Sequence, residues 1–451
     1  MLGKVFERFV EKAPVAVMVR GILERVLSAD ALDRLYEKVA DRQYTRQLLF
    51  SSVFQLMNLV VCRVHPSIHA AYQEHKAQIP TSITAVYDKL NGIDPVTSRA
   101  LVSATAEQMG AAVRAMNATR TPWLLGYRAK VLDGNCIEAT EHRLKPLRGL
   151  ASGALPGKSL VIYEPELEMA TDVFPCEDGH AQERSLLGEV LATVVVRDLL
   201  IMDRNFCVRD FLHGISTREA GFICRQHQGL PWESDGEERV VGRCESGTLY
   251  EQWVRVSDSE GNSRRFRRIR IVLNKATRDG DKELRLLTNL SKTAAHAKQI
   301  AEMYRKRWSI ETAFQELEAH LHSEINSLGY PKAALFGFSV ALVAYNVLAV
   351  VKGALRSIHG EHTIANEVSG YYLAGHLQRT YEGMMIAIAE DQWTIFQTMS
   401  DQTFAATLQQ LASKVSLAKF RKHKRGPKKP TTRRTRHSDQ PHVSTAKLLK
   451  Q

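Results

Sequence analysis

Two short apolar runs end in aspartate, VLDGN at Asp133 and LIMDRN at Asp203, and a third acid, Glu311, lies in YRKRWSIETAFQELEAHL, residues 304–321. An aspartate after an apolar run is most often a turn or cap residue. A pair of them at the carboxyl ends of strands in an open α/β sheet has a second meaning, because ligands collect there. Two carboxylates brought together repel unless a cation neutralises them. Hard divalent cations take oxygen ligands and keep water and substrate phosphates in their remaining positions. In the third stretch, at about 100° per residue, Tyr304, Arg307, Glu311 and Glu318 fall in one stripe roughly 60° wide. Ile310, Phe314, Leu317 and Leu321 form an apolar stripe beside it. The spacing predicts one helix that packs through its apolar stripe and runs its polar stripe along the edge of the contact. The competing reading is a solvated face, with Arg307 and Glu311 as a surface pair worth a few tenths of a kcal/mol.

Elements that position these acids can be read from periodicity. Residues 1–125 read as helical: ALDRLYEKVADR and RQLLFSSVFQLMNLVVCRV carry apolar residues at spacings of three and four. SITAVYDKLNGIDPVTSRALVSATAEQM reads as helix, Gly/Pro turn, helix, a candidate DNA-binding pair. From about 128, AKVLDGN is a buried strand, SLVIYEPE and LEMATDVFP alternate as paired strands, GHAQERSLLGEVLATV is an amphipathic helix, and RDLLIMDRNF is a strand again. This is a mixed α/β sheet. Residues 216–292 turn β-rich and polar, and residues 293–412 return to helices around the Glu311 stretch. AALFGFSVALVAYNVLAVV (333–351) is about long enough to span a bilayer, but its Ala, Gly, Ser and Asn content favours a buried core helix.

Composition bounds the function. The six cysteines are scattered with no C-x-x-C pair, which argues against a zinc site or disulfide framework and fits a reducing cytosol. MLGKVFERFVEKAPV is too charged and broken for a signal peptide. Of the formal charge of +12, the segment from Lys419 onward supplies +11. That tail, residues 413–451, is expected to be disordered when free, and Lys424, Arg425, Lys428 and Lys429 make it a candidate nucleic-acid contact rather than a membrane anchor. In RRFRRIRIV, Arg268 and Arg270 share a strand face with Phe266 and are candidate phosphate contacts, while Arg265 and Arg267 point the other way. The competing reading is an edge strand guarded by charge. Trp232 and Trp253 are candidates for base stacking or, more simply, packing, and His142, Arg143 and Arg148 follow Asp133.

These segments resemble the DDE transposases of bacterial insertion sequences, in particular the insertion-sequence-four group with its Y-(2)-R-(3)-E-(6)-K signature. Tyr304, Arg307 and Glu311 keep that spacing, and LDGN and IMDRNF resemble the first and second aspartate segments. The resemblance covers most of the chain. It implies an α/β fold: a ribonuclease-H-like mixed sheet core with a helical N-terminal domain, a β-rich insertion and a helical C-terminal part. It also implies that Asp133, Asp203 and Glu311 bind two divalent ions, Mg²⁺ or Mn²⁺, and cut DNA at transposon ends before strand transfer into target DNA. Tyr304 and Arg307 become phosphate contacts, the partner is double-stranded DNA held by a homodimer, and the setting is the bacterial cytoplasm near the nucleoid. The chain departs from the signature at its lysine, which is Glu318 here; Lys306, His322 and Lys332 are candidates to replace it. That departure keeps a catalytically impaired DNA-binding descendant open, and a ribonuclease-H-like nuclease behind it.

Overall fold

A computed structural model describes residues 2–40, 47–137, 153–277, 280–423 and 442–450. Its centre is a ten-stranded sheet. Strands β1 (Arg128–Ile137), β2 (Gly157–Glu164), β3 (Met169–Cys176), β4 (Asp198–Met202) and β5 (Gly221–Arg225) lie in the order β3-β2-β1-β4-β5. β1, β4 and β5 are parallel, and β2 and β3 are antiparallel to their neighbours. This is the ribonuclease-H-like α/β core that the sequence led us to expect.

The strands read as apolar runs because both sheet faces are covered. Val131, Val161, Val173, Leu199, Ile201 and Ile223 enter one core. Their alternates Leu132, Leu160, Phe174, Leu200, Met202 and Phe222 enter the other. The first face is covered by the N-terminal helices, which include α1 (Pro14–Val26), α2 (Phe50–Val61), α3 (Ile83–Gly92) and α4 (Pro95–Ala115), and by helices that follow the insertion. The second is covered by α5 (Leu187–Ala192) and α6 (Arg209–Thr217). The helix–turn–helix pair is present as α3 and α4. However, α4 buries Leu101, Val102, Met109 and Val113 in the common core and pairs Arg99 with Asp172 of β3 at 3.1 Å. It packs the sheet rather than standing free as a recognition helix.

The β-rich insertion extends the core sheet instead of forming a sheet of its own. Its strands are β6 (Glu233–Ser234), β7 (Arg239–Cys244), β8 (Gly247–Ser257), β9 (Ser263–Leu273) and β10 (Glu283–Thr288). β10 pairs antiparallel with β5, then follow β9, β8 and β6, with β7 also on β8. Gly221–Arg225, which composition groups with the insertion, is a core strand by its parallel pairing with β4. Arg267 of β9 is 1% exposed: it donates to Glu251 Oε1 at 2.5 Å and to the carbonyls of Leu290, Ser291 and Ala295 at 2.8–3.0 Å. That clamp fixes the loop leading from the insertion to α7 (Ala297–Arg305).

After α7 come α8 (Ser309–His320) and α9 (Pro331–His359). α9 contains the long apolar stretch and is the one helix among the described residues long and apolar enough to cross a membrane; its apolar window is wholly buried. Its Asn346 amide pairs with both backbone groups of Ala170 on edge strand β3, at 2.7 and 2.9 Å, so a polar residue in an apolar helix is satisfied inside the protein. The described residues on either side of the basic stretch are paired with the body of the protein. Val368 bridges Arg421, and His442–Ser444 pairs parallel with Gly153–Leu155. Ser444 Oγ donates to Asp178 at 2.7 Å, and Lys447 pairs with it at 3.0 Å. The last residues regain Val443, Ala446, Leu448 and Leu449, which the basic stretch before them lacks. Lys424, Arg425, Lys428 and Lys429 lie outside the described residues, as do His142, Arg143 and Arg148.

Candidate active site

The parallel register sets Leu132 opposite Met202, so Asp133 and Asp203 lie one step beyond, where the pairing of β1 with β4 ends; β4 stops there, while β1 runs on to Ile137 against β2. Neighbouring strands are about 4.8 Å apart. Period two sends Asp133 to the face of Val131, and Asp203 to that of Leu199 and Ile201, where the post-insertion helices pack. Glu311 comes from that layer. The 304–321 stretch is not one helix: α7 ends at Arg305, a 3₁₀ turn spans Lys306–Trp308, and α8 begins at Ser309. A 3₁₀ turn carries three residues per turn rather than 3.6, so the helix-wheel stripe does not hold through it. Tyr304, Arg307 and Glu311 nevertheless converge on the aspartates. Ile310, Leu317 and Leu321 are buried as the apolar stripe requires, and Glu318 is exposed.

The contacts are specific. Tyr304 Oη donates to Asp203 Oδ1 at 3.0 Å. Arg307 donates from Nη1 to Asp133 Oδ2 at 2.8 Å and from Nη2 to Glu311 Oε1 at 3.2 Å. The guanidinium, only 6% exposed, therefore bridges a sheet carboxylate and a helix carboxylate. Burial pushes the Asp133 carboxyl above the usual carboxylate range; Arg307 and the Gly134 amide pull it back, and Asp203 and Glu183 push it up. Glu311 is raised by the same cause, with Asp133 and Asp203 adding to it and Arg307 opposing. Burial alone lowers Arg307, but Asp133, Tyr304, Asp203 and Glu311 more than offset that and hold it above its ordinary value. The Tyr304 hydroxyl is held far up by burial and by the Asp203 charge. The site thus carries more negative charge than its one buried guanidinium neutralises.

Sequence reasoning missed three further residues. Glu183 lies on the 3₁₀ turn Glu183–Leu186 and accepts from Asn205, two residues past Asp203. Its carboxylate lies against Gly134, where a Cβ would come within 2.1 Å of Oε1, so a larger residue there would push the Glu183 side chain aside. Trp308 sits at the site's rim, 60% exposed, with the Arg307 guanidinium 5.5 Å from its ring centre. Only the indole carried a signal, an exposed aromatic inside a charged stretch; Glu183 looks like any helix-surface acid.

Other expected site residues are placed elsewhere. Arg268 and Arg270 pair with Glu238 at 3.3 and 2.5 Å, and Arg270 also with Glu283 at 3.3 Å. Their charges are matched inside the insertion, so an open phosphate-binding face does not form there. Trp232 and Trp253 each already carry a guanidinium, that of Arg268 at 4.8 Å and of Arg265 at 4.4 Å. Lys332 is engaged by Asp94 at 2.6 Å, Lys306 lies over Trp123 at 5.7 Å, and burial lowers the His322 imidazole. None of the three is shown taking the place of the missing lysine. Glu318 instead lines a cleft with Gly134 and Asn135.

The donor set Asp133, Asp203 and Glu311 is all oxygen and suits a hard divalent cation. Among the described residues no three acid, histidine or cysteine groups converge closely enough to hold one ion jointly. Arg307 stands between Asp133 and Glu311. The set fits a divalent ion by chemistry and charge, with the guanidinium the group that must yield.

Residues 157–347 match the family described as the transposase DDE domain, a span that contains Asp203, Tyr304, Arg307 and Glu311 and leaves Asp133 upstream. The chain is 23% identical over 282 residues to the transposase for insertion sequence element IS421 of Escherichia coli, covering 55% of this chain and 72% of that protein. The InsL protein of IS186A in Escherichia coli K12 matches with the same identity and coverage. Residues 157–347 thus match a transposase DDE domain, and over 55% of its length the chain is similar to transposases of insertion sequences.

Proposed function

We propose that this protein is an active DNA transposase that cleaves phosphodiesters at the ends of its element and joins the freed ends to target DNA. The observation that carries the reading is the convergence of Asp133, Asp203 and Glu311 on Tyr304 and Arg307 from two strands and a helix. Asp133, Asp203 and Glu311 would hold the divalent ions, Mg²⁺ or Mn²⁺. Bound there, such ions activate the attacking oxygen and stabilise the leaving oxygen of an in-line displacement. In hydrolysis, water attacks phosphorus and loses a proton, and the P–O bond to the 3′ oxygen breaks to leave a 3′-OH. In strand transfer, that 3′-OH attacks a target phosphodiester in the same way. Arg307, which bonds Asp133 and Glu311, would be free to offer its fork to phosphate oxygens if those carboxylates held metal. Tyr304 keeps Asp203 oriented, and its raised hydroxyl stays protonated to donate. The working form is a homodimer on paired ends, acting in the cytoplasm on the DNA that carries the element.

Glu318 favours a second reading, a DNA-binding protein impaired in cleavage, because a carboxylate in the cleft beside Gly134 repels phosphate. Incubating the protein with the terminal repeats that flank its gene and Mg²⁺ separates the two. Cut ends support the first reading, and bound but uncut ends support the second.

A further inference from the structure

We infer that the cavity between the ends of β4 and β5 and the start of β10 is a binding site for a DNA backbone phosphate next to the scissile one. The inference rests on the transposase reading and adds to it a contact surface supplied by the insertion. The cavity measures about 520 Å³ and is lined by Arg204, Arg225, Lys282 and Arg285 together with Asp281 and Glu283. It adjoins the catalytic aspartate: Arg204 follows Asp203 directly, and Arg225 follows Cys224, whose thiol lies 3.5 Å from the Asp203 carbonyl oxygen. Arg225 is also near enough for its charge to act on the Tyr304 hydroxyl.

The charges are incompletely matched. Asp281 pairs with Arg225 at 2.6 Å, and Glu283 is shared by Arg285 and Arg270. Arg204 and Lys282 are exposed and have no side-chain partner among the described residues. Arg285 Nε is buried without a hydrogen-bond acceptor. Four cations against two acids leave a net charge of +2 in a concave site. Concavity focuses such a potential on an anion, and guanidinium forks suit phosphate oxygens. A DNA strand whose scissile phosphate lies at Asp203 must pass its neighbouring phosphate close by, so the backbone is the occupant the location favours. Arg268 and Arg270 brace the wall of the cavity, Arg268 through Gln226 at 2.9 Å and Arg270 through Glu283 at 3.3 Å.

The test is DNA binding without divalent metal. Affinity for a duplex carrying the element's own end is measured against salt for wild type, Arg204→Ala, Lys282→Ala and Asp281→Asn. Losing one phosphate contact lowers the salt slope by about 0.9, so the double alanine variant should flatten it by about that amount and each single variant by part of it. Asp281→Asn, which frees Arg225, should tighten binding. A neutral methylphosphonate at the phosphate adjoining the cleavage point should weaken wild type and leave the double alanine variant unchanged. Unaltered slopes with intact wild-type binding overturn this site and leave the transposase reading standing. A wild type that binds no DNA overturns the transposase reading itself. If the variants change binding of inorganic pyrophosphate but not of the duplex, the cavity is a small-anion site and the proposal fails.

Discussion

Arg267→Ala should destabilise the protein by about 4 kcal/mol, the range expected when one member of a buried ion pair is removed. The figure follows from what the side chain holds. Arg267 is buried, donates to Glu251 and supplies three carbonyls of the 290–295 loop. A buried acceptor left without a donor costs about 1–3 kcal/mol, but these costs do not add here. Lys292 still reaches Glu251 at 3.0 Å, and Ser291 is exposed, so water can replace part of the loss. The charge-retaining Arg267→Lys should lose roughly half as much, since one ammonium cannot satisfy four acceptors. Replacing Arg267 and Glu251 together by Met and Leu should be milder than Arg267→Ala alone, because no unpaired charge remains. Trp253 lies directly opposite Arg267 across β8 and β9. Its fluorescence during denaturant unfolding, with hydrogen exchange of residues 290–295, reads the effect locally. A loss under about 1 kcal/mol for Arg267→Ala, or a double variant worse than the single, would refute the clamp.

Further predictions follow from the site. Tyr304→Phe removes one hydrogen bond, so stability should fall by about 1 kcal/mol, while end cleavage falls ten-fold or more because Asp203 is no longer oriented; an unchanged rate contradicts that role. Glu251 is buried, which alone raises its carboxyl, but Arg267 and Lys292 more than reverse this and hold it below its ordinary value. Its stabilising contribution is therefore complete above the ordinary glutamate range and disappears as pH falls through the lowered value, and wild type should lose more stability on acidification than Glu251→Gln. Asp133 and Glu311 have the opposite sign. Protons compete for them above the ordinary carboxylate range, so divalent-ion affinity measured by calorimetry should weaken on mild acidification, before ordinary carboxylates titrate. Glu318→Lys should steepen the salt dependence of DNA binding by about 0.9 if the cleft beside Gly134 faces the backbone; an unchanged slope removes that position from the DNA interface.

Much of this was legible in the sequence for a simple reason. Side chains in strands alternate strictly, so VLDGN and LIMDRN fix which face each aspartate takes once the strands are parallel neighbours. The Tyr304, Arg307, Glu311 spacing likewise survived, although the helix assumed to carry it breaks at Lys306–Trp308. That break has no local marker, since Lys, Arg and Trp are all acceptable in a helix; packing of α7 and α8 against different parts of the sheet decides it. The insertion's continuity with the core depends on β5 pairing with β10 across about sixty intervening residues, which local periodicity cannot see. The partners of the arginines in RRFRRIRIV were not legible in the sequence. Its arginines alternate correctly and Arg265 is exposed, but Arg267 and Arg268 are buried on opposite faces, and Glu251 and Glu238 supply partners from distant sequence.

In the function proposed above, Asp133, Asp203 and Glu311 form one metal-dependent centre for cutting DNA. The most direct measurement is single-turnover cleavage of the element's own ends by wild type and by Asp203→Asn, each with Mg²⁺ and with chelator, alongside binding of the same DNA. Cleavage is expected only from wild type with Mg²⁺, with equal DNA binding by both proteins. Equal cleavage by the two proteins, or cleavage that persists in chelator, would contradict it.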